Sequence, residues 1–487
     1  AIFVNVSYSH SQPKTDVSEE AGIYGSVIGF GLGVTVGDID KDGWQDIYVS
    51  NDFFERDYIY MNNGDGTFRE ELERQMRSIS GASMGADMAD INNDGFSDIF
   101  VTEMLPQKEA RIKTKTTFED WGRYQYNIKN GYYHQFTRNM LQLNNGNETF
   151  SDIGRLAGVH ATDWSWGALI SDLDNDGLKD IFVANGIYQD LTDQDYINFI
   201  SNEETIKAMT ADKKVDYRKL IDAIPVNKVA NYMFVNQGNY TFEDQTIDWG
   251  LDEPSHSNGS AYGDLDNDGD LDLVVNNVNM PLFIYRNESD KLLPQHSYLK
   301  FELSGEEKNT QAIGTKITLK HEGKTFYQEQ MPMRGFQSTV DYRPNFGLGK
   351  IASVDTVLVE WPDDTQTLLT NVPANQTIKL AQNSGKSPRE KKQEKNEQIF
   401  AELDENTPWN FTHRENAFSD FDRDRLLFHM RSTLGPRLAV GDVNGDGLQD
   451  FYIGGARGQS GALMVQQTNG SFEPMSQPTF AADSISE

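Results

Sequence analysis

Short stretches in which apolar and polar residues alternate recur along the chain, each closed by Asn, Glu or Gly. IYVSN at 47–51, IFVTE at 99–103, IFVAN at 181–185, LVVNN at 273–277 and FYIGG at 451–455 are variants of one phrase. A period of two carried by β-branched and aromatic residues predicts half-buried strands. A second strand is expected before each phrase and a third after it. The third strands run into turns: DYIYMN with NNGDGTF at 57–68, MLQLNNGNETF at 140–150, YMFVNQGNYTF at 232–242 and LMVQQTNGSF at 463–472. Asn-Gly between alternating apolar residues signals a hairpin. Each repeat therefore predicts an antiparallel sheet of about four strands, the unit of a propeller blade.

Immediately before each phrase stands an Asp-rich loop. The five copies are GDIDKDGWQD from 37, ADINNDGFSD from 89, SDLDNDGLKD from 171, GDLDNDGDLD from 263 and GDVNGDGLQD from 441. Oxygen-bearing side chains recur at positions 1, 3, 5 and 9, and Gly at position 6 permits a sharp turn around an ion. Hard oxygen donors at this density suit Ca²⁺, with a main-chain carbonyl at position 7. The expected ligands are Asp38, Asp40, Asp42 and Asp46; Asp90, Asn92, Asp94 and Asp98; Asp172, Asp174, Asp176 and Asp180; Asp264, Asp266, Asp268 and Asp272; Asp442, Asn444, Asp446 and Asp450. The carbonyls of Trp44, Phe96, Leu178, Asp270 and Leu448 complete about five Ca²⁺ sites. An EF-hand would need Glu at position 12 and a helix after it. Here Val49, Val101, Val183, Val275 and Ile453 occupy that position, inside strand-like runs.

The formal charge of −32, from 43 Lys and Arg against 75 Asp and Glu, argues against nucleic acid as a partner. Five divalent ions would balance much of it. There is no cysteine, so bound metal is the candidate for the stabilising role that disulfides play in other extracellular proteins. Sites of this kind bind at about 10⁻⁴ to 10⁻³ M, which external calcium fills and cytosolic calcium does not. An extracellular location follows as the expectation. No apolar run approaches the ~20 residues of a membrane-spanning helix, and no signal segment opens the chain. KTDVSEEAGI at 14–23 matches FSDIGRLAGV at 150–159 and FEDQTIDWGL at 242–251, phrases that close one repeat and lead into the next. The chain is expected to begin partway through a repeat.

These loops and strands resemble the FG-GAP or VCBS repeats of integrin α-subunit propellers, over residues 14–290 and 400–475. The resemblance implies loops that hold Ca²⁺ between neighbouring strands and a propeller of seven blades, incomplete here. Residues 298–381 are similar to the ASPIC/UnbV domain. AIGTKITL at 312–319, RGFQSTV at 334–340, FGLG at 346–349 and VDTVLVEWPDDTQTLLTNVPANQTIKL at 354–380 carry the likeness. Asp364 stands where that family has Gly after Trp-Pro-Asp, which predicts an altered turn. Alternation within the segment predicts a β-sandwich. The whole resembles the cartilage acidic protein family and, more closely, long cell-surface proteins of Bacteroidetes.

The expected organisation is all-β: propeller blades over 1–297, an ASPIC/UnbV domain over 298–381, a charged flexible linker over 382–399 and the start of a second propeller over 400–487. Two inserts, 106–137 and 187–229, are polar and partly helical in pattern and are candidates for partner contacts. A third arrangement makes the five repeats one closed propeller interrupted by ASPIC/UnbV. GASMG at 81–85 fits the G-x-S-x-G pattern but aligns with GFGLG at 29–33, DWSWG at 163–167 and SHSNG at 255–259, and no helix is expected after it. Trp164 and Trp166 read as packing residues, and the eight His form no zinc motif. No catalytic residues are assigned. The expected function is a non-enzymatic, calcium-binding scaffold that contacts protein or glycan at a cell surface. On analogy it belongs to a bacterial outer-membrane lipoprotein in adhesion or nutrient uptake, beside a transporter complex. The alternative is a polysaccharide-active enzyme or a lectin built on a propeller.

Overall fold

The computed structural model describes residues 16–115, 121–202, 217–383, 387–388, 411–424, 427, 430–475 and 479–480. Most of the expected linker, 382–399, lies outside them. The chain divides into two compact units, 1–390 and 391–487.

In the first unit the repeats form successive antiparallel sheets, taken here as blades. Blade one consists of strands Gly31–Gly37, Asp46–Asn51, Tyr58–Asn62 and Phe68–Glu70. Blade two has Ala86–Ala89, Asp98–Val101, Met140–Asn144 and Phe150–Asp152. Blade three has Ser165–Ser171, Asp180–Asn185, Tyr232–Asn236 and Phe242–Asp244. Blade four holds only Ser257–Gly263, Asp272–Asn277 and Phe283–Tyr285. The fourth strand expected there is replaced by a helical turn, Ser289–Leu292. RNESDKLL at 286–293 has no Asn-Gly turn to fold the chain back.

The period-two alternation decides where the cores lie. In the second strand of blade two, Ile99 and Val101 face blade one, while Phe100 faces blade three. In blade three, Ile181 and Val183 face back and Phe182 and Ala184 face forward. Three apolar cores are thus sandwiched between consecutive blades. Each fully buried large side chain contributes roughly 1.5–3 kcal/mol.

Residues 297–388 form the expected sandwich. Ser297–Ser304 pairs antiparallel with Asn345–Gly349 and parallel with Gln376–Ala381. A second sheet runs in the order Lys324–Glu329, Lys316–His321, Ser353–Glu360, Thr365–Pro373, Ser387–Pro388. Leu299, Phe301, Leu319, Phe346, Val357 and Trp361 are buried between the two. At the turn, Asp364 takes the left-handed conformation, φ 59°, that glycine adopts readily, and Trp361 N–H bonds Thr365 O at 2.8 Å.

A hairpin of this domain, Met333–Arg334 paired with Ser338–Thr339, lies against the first strands of the blades. It accounts for two of the glycines that recur at those strands: a Cβ at Gly167 would stand 2.6 Å from Phe336 N and one at Gly259 2.9 Å from Ser338 Oγ, whereas at Gly85 the close neighbour is Trp166 O of the next blade, at 2.6 Å. Trp166 packs on Phe336 with ring centroids 5.1 Å apart and donates from Nε1 to Gly186 O, so it is a packing residue.

Among the described residues of the second unit there is one four-stranded sheet, Leu438–Gly441, Asp450–Ile453, Ala462–Gln466 and Phe472–Met475, with the same strand order as blades one and three.

Candidate metal centres

Every Asp-rich loop joins the first two strands of its sheet, and the same hydrogen bonds recur in each. The position-1 carboxylate accepts the position-6 glycine N–H: Gly43 to Asp38 Oδ2 at 2.9 Å, Gly95 to Asp90 at 2.9 Å, Gly177 to Asp172 at 2.8 Å, Gly269 to Asp264 at 3.1 Å and Gly447 to Asp442 at 2.8 Å. These glycines have φ between 87° and 105°. Position 4 is also left-handed, at Lys41, Asn93, Asn175 and Asn267 (φ 58° to 63°) and at Gly445 (φ 76°). Two left-handed residues two apart curl the loop on itself, and Asn or Gly tolerate that conformation.

The position-9 Asp is more than a ligand candidate. Asp46 accepts Ile39 N–H with one oxygen and Asn62 N–H with the other, both at 2.8 Å. Asp98, Asp180, Asp272 and Asp450 repeat this, each tying its loop to the end of its third strand.

The side chains that end the third strands reach further. Asn144 of blade two donates to Ile39 O in the loop of blade one at 3.1 Å, and Asn236 of blade three to Ile91 O of blade two at 2.9 Å. Asn287 of blade four bonds Leu173 O of blade three at 2.5 Å. Between loops, Asn93 donates to Gly177 O at 2.8 Å and Asn175 to Gly269 O at 3.2 Å. Loops one to four are thereby linked in a row. The Asn residues were visible in sequence as turn formers, but nothing local marks a bond that spans two repeats.

Asp38, Asp40 and Asp42 bring carboxylate oxygens within 4.8 Å of one another, as do Asp172, Asp174 and Asp180, and Asp264, Asp266 and Asp272. Asp38 Oδ1 is buried and has no hydrogen-bond partner, the state of a ligand oxygen turned towards an ion. Loops two and five have Asn at position 3, and there Asn92 and Asn444 donate to Asp94 and Asp446 at 2.8 Å. Burial pushes Asp46 up to about 7 and Asp176 up to about 6, with neighbouring carboxylates adding to the rise. A divalent cation relieves that accumulation of charge. The donor sets fit Ca²⁺. Strands follow the loops where an EF-hand has a helix. The position-7 side chains mostly pack on the turns: Trp44 against Gly64 and Phe96 against Gly146. Asp270 instead accepts from Ser289 Oγ and Asp290 N–H, holding the turn that replaces the fourth strand.

The sandwich domain rests on these loops. Gly349 N–H bonds Asn175 O at 2.8 Å, and Asp38 N–H bonds the Glu329 carboxylate at 3.3 Å. Arg343 donates to Asp264 O at 3.0 Å and to Asn267 Oδ1 at 2.9 Å. Lys316 and Lys300, both buried, place their ammonium groups on Oδ2 of Asp38 and Asp264. Arg334, on the hairpin, pairs through Nε and Nη2 with the fully buried Asp87.

The inserts emerge between strands two and three of blades two and three. Their helices include Glu109–Lys115, Trp121–Lys129, Gln194–Ser201 and Tyr217–Asp222. Arg111 and Lys115 of one insert reach Asp190 of the other at 3.2 and 2.6 Å, and Arg111 also grips Asp163 at 2.8 Å. Ser83 is fully buried, donates to Asp57 at 2.7 Å and precedes a strand, so it has none of the exposure a nucleophile needs.

Residues 305–387 match the family described as ASPIC and UnbV, and residues 38–101 and 219–275 match the FG-GAP-like repeat. Loops three and five lie outside the matched segments but share the hydrogen-bond pattern above. Integrin alpha-3 of Mus musculus is 34% identical over 100 residues, 18% of this chain and 9% of that protein. Cartilage acidic protein 1 of Mus musculus is 43% identical over 56 residues, 11% of this chain and 9% of that protein. The chain thus spans less than a tenth of the length of these relatives. A solved structure titled for recognition of non-reducing terminal N-acetylglucosamine by an Agrocybe aegerita lectin covers 94% of this chain and 82% of its own at 14% identity, with a TM-score of 0.26, too low to carry an argument. Among the described residues no helix is long and apolar enough to cross a membrane.

Proposed function

We propose that this protein is an extracellular scaffold whose blades are fixed by about five calcium ions and whose two inserts contact a protein or glycan. The observation that carries the reading is the row of Asp loops in the first unit: loops one, three and four each gather carboxylate oxygens within 4.8 Å of one another, and loops one to three are each bonded to the next blade. Their carboxylates are spent on holding the fold, and the one G-x-S-x-G serine is buried. The scaffold is therefore read as non-enzymatic. Exposed Phe53, Phe54, Trp121 and Tyr126, with Arg123 over Phe54, lie on or beside the first insert and suit a planar sugar or a protein surface. The four blades of the first unit and the sheet at 438–475 are read as parts of two propellers. By the likeness to bacterial surface proteins the setting is the outer face of an outer membrane, in adhesion or uptake beside a transporter. A glycan panel tests the division between scaffold and enzyme: binding without turnover is expected, and cleavage of any glycan at a catalytic rate overturns the non-enzymatic reading.

A further inference from the structure

The five loops share one backbone pattern, but their surroundings differ. At loop one the ammonium of Lys316 sits on Asp38, and at loop four that of Lys300 sits on Asp264. In both it takes the oxygen that also accepts the glycine N–H, and in loop one the other oxygen is left for the ion. Lys179, buried beside loops two and three, donates to the main-chain carbonyl of Asp90 at 2.8 Å; its charge acts on Asp90 and Asp172, but it forms no direct ion pair with either carboxylate. Loop three meets the Gly349 N–H at Asn175 O and the His296 ring at the main-chain carbonyl of Asp174, with no ammonium group on its carboxylates among the described residues.

We propose that Lys316 and Lys300 divide the calcium loops into two affinity classes, with loops one and four the weaker. The inference rests on the calcium reading above. A buried ammonium on a ligand carboxylate withdraws part of the negative charge that attracts the ion, and it repels the ion itself within a few ångströms. In a partly buried site this repulsion is worth a change in affinity of roughly ten-fold or more. Loop four bears the larger effect, because Arg343 adds a second cation at Asp264 and Asn267, whereas Glu329 lies beside Lys316 at loop one. Since both lysines belong to the sandwich domain, that domain sets the calcium concentration at which the two loops fill.

Calorimetric titration of the calcium-free full chain tests this. The native protein is expected to show two weak sites apart from the tighter set. Lys316→Met is expected to move one site out of the weak class with a gain of at least about ten-fold, and Lys300→Met to move the other. Lys316→Arg, which keeps the charge, is expected to retain the native profile. Melting at saturating calcium shows whether each variant is folded. Unchanged site classes in folded Lys316→Met and Lys300→Met, or weaker binding in both, would overturn the proposal. Failure of the native chain to bind calcium at all would instead overturn the reading on which it rests.

Discussion

Asp46 is buried among Asp40 and Asp42, and its carboxyl is pushed up to about 7 from an ordinary 3.8. The calcium-free folded chain therefore holds this proton more tightly than the unfolded chain. The sign follows: that group's contribution favours folding at low pH and is lost as pH climbs from about 4 to about 7. Calcium needs the ionised form, so its binding expels protons across the same range. Affinity is expected to weaken from about pH 7.5 to about pH 5.5. Titration in two buffers of unequal ionisation enthalpy checks this: heats that differ between buffers are expected, and equal heats at pH 6 would refute it. That Asp38, Asp40 and Asp42 gather in one loop was legible in sequence, because it follows from their spacing alone. The second role of Asp46, accepting two main-chain N–H groups, was not, since it depends on where Asn62 arrives after a strand and two turns.

At the scale of the element, strand positions could be read from alternation, and the blade sheets follow it. What each strand packs against could not, because Phe100 and Ile99 differ in partner only once blades stand on both sides. The bonds between blades give measurable consequences. Asn236→Leu removes donations to Ile91 O and Lys179 O and is expected to cost about 1–3 kcal/mol. Asn62→Leu, whose side-chain amide donates only within blade one, is expected to cost less. Denaturant melts of the two variants in calcium compare them, and equal losses would argue against the cross-blade bond. On the hairpin, Arg334→Met leaves buried Asp87 without its cation, an expected loss of about 3–5 kcal/mol. A loss under 1 kcal/mol would show that the hairpin is not held as described. The recurring glycine was present in sequence, but the close approaches that require it come from elsewhere in the chain: the next blade's backbone at Gly33 and Gly85, and residues 336–338 at Gly167 and Gly259.

In the whole molecule, blades one to four, their loops and the sandwich domain are parts of one compact unit, joined through the row of loops. The sequence shows the repeats and the separate domain, and it could not show that the domain sits on the loops. Two features of its surface stand out. Leu265, Leu282 and Ile284 are exposed on blade four, and Tyr24, Val27, Ile28 and Phe30 are exposed beside blade one, at opposite ends of the row. With calcium ten-fold above its dissociation constant, each site adds about 1.4 kcal/mol. Several sites acting on one bonded row amount to a shift on the order of 10 °C in melting temperature. The measurement that tests this most directly is the melting temperature of the full chain before and after exhaustive chelation. A fall on the order of 10 °C that calcium restores is the expected result, and an unchanged melting temperature in chain shown to be calcium-free would contradict it.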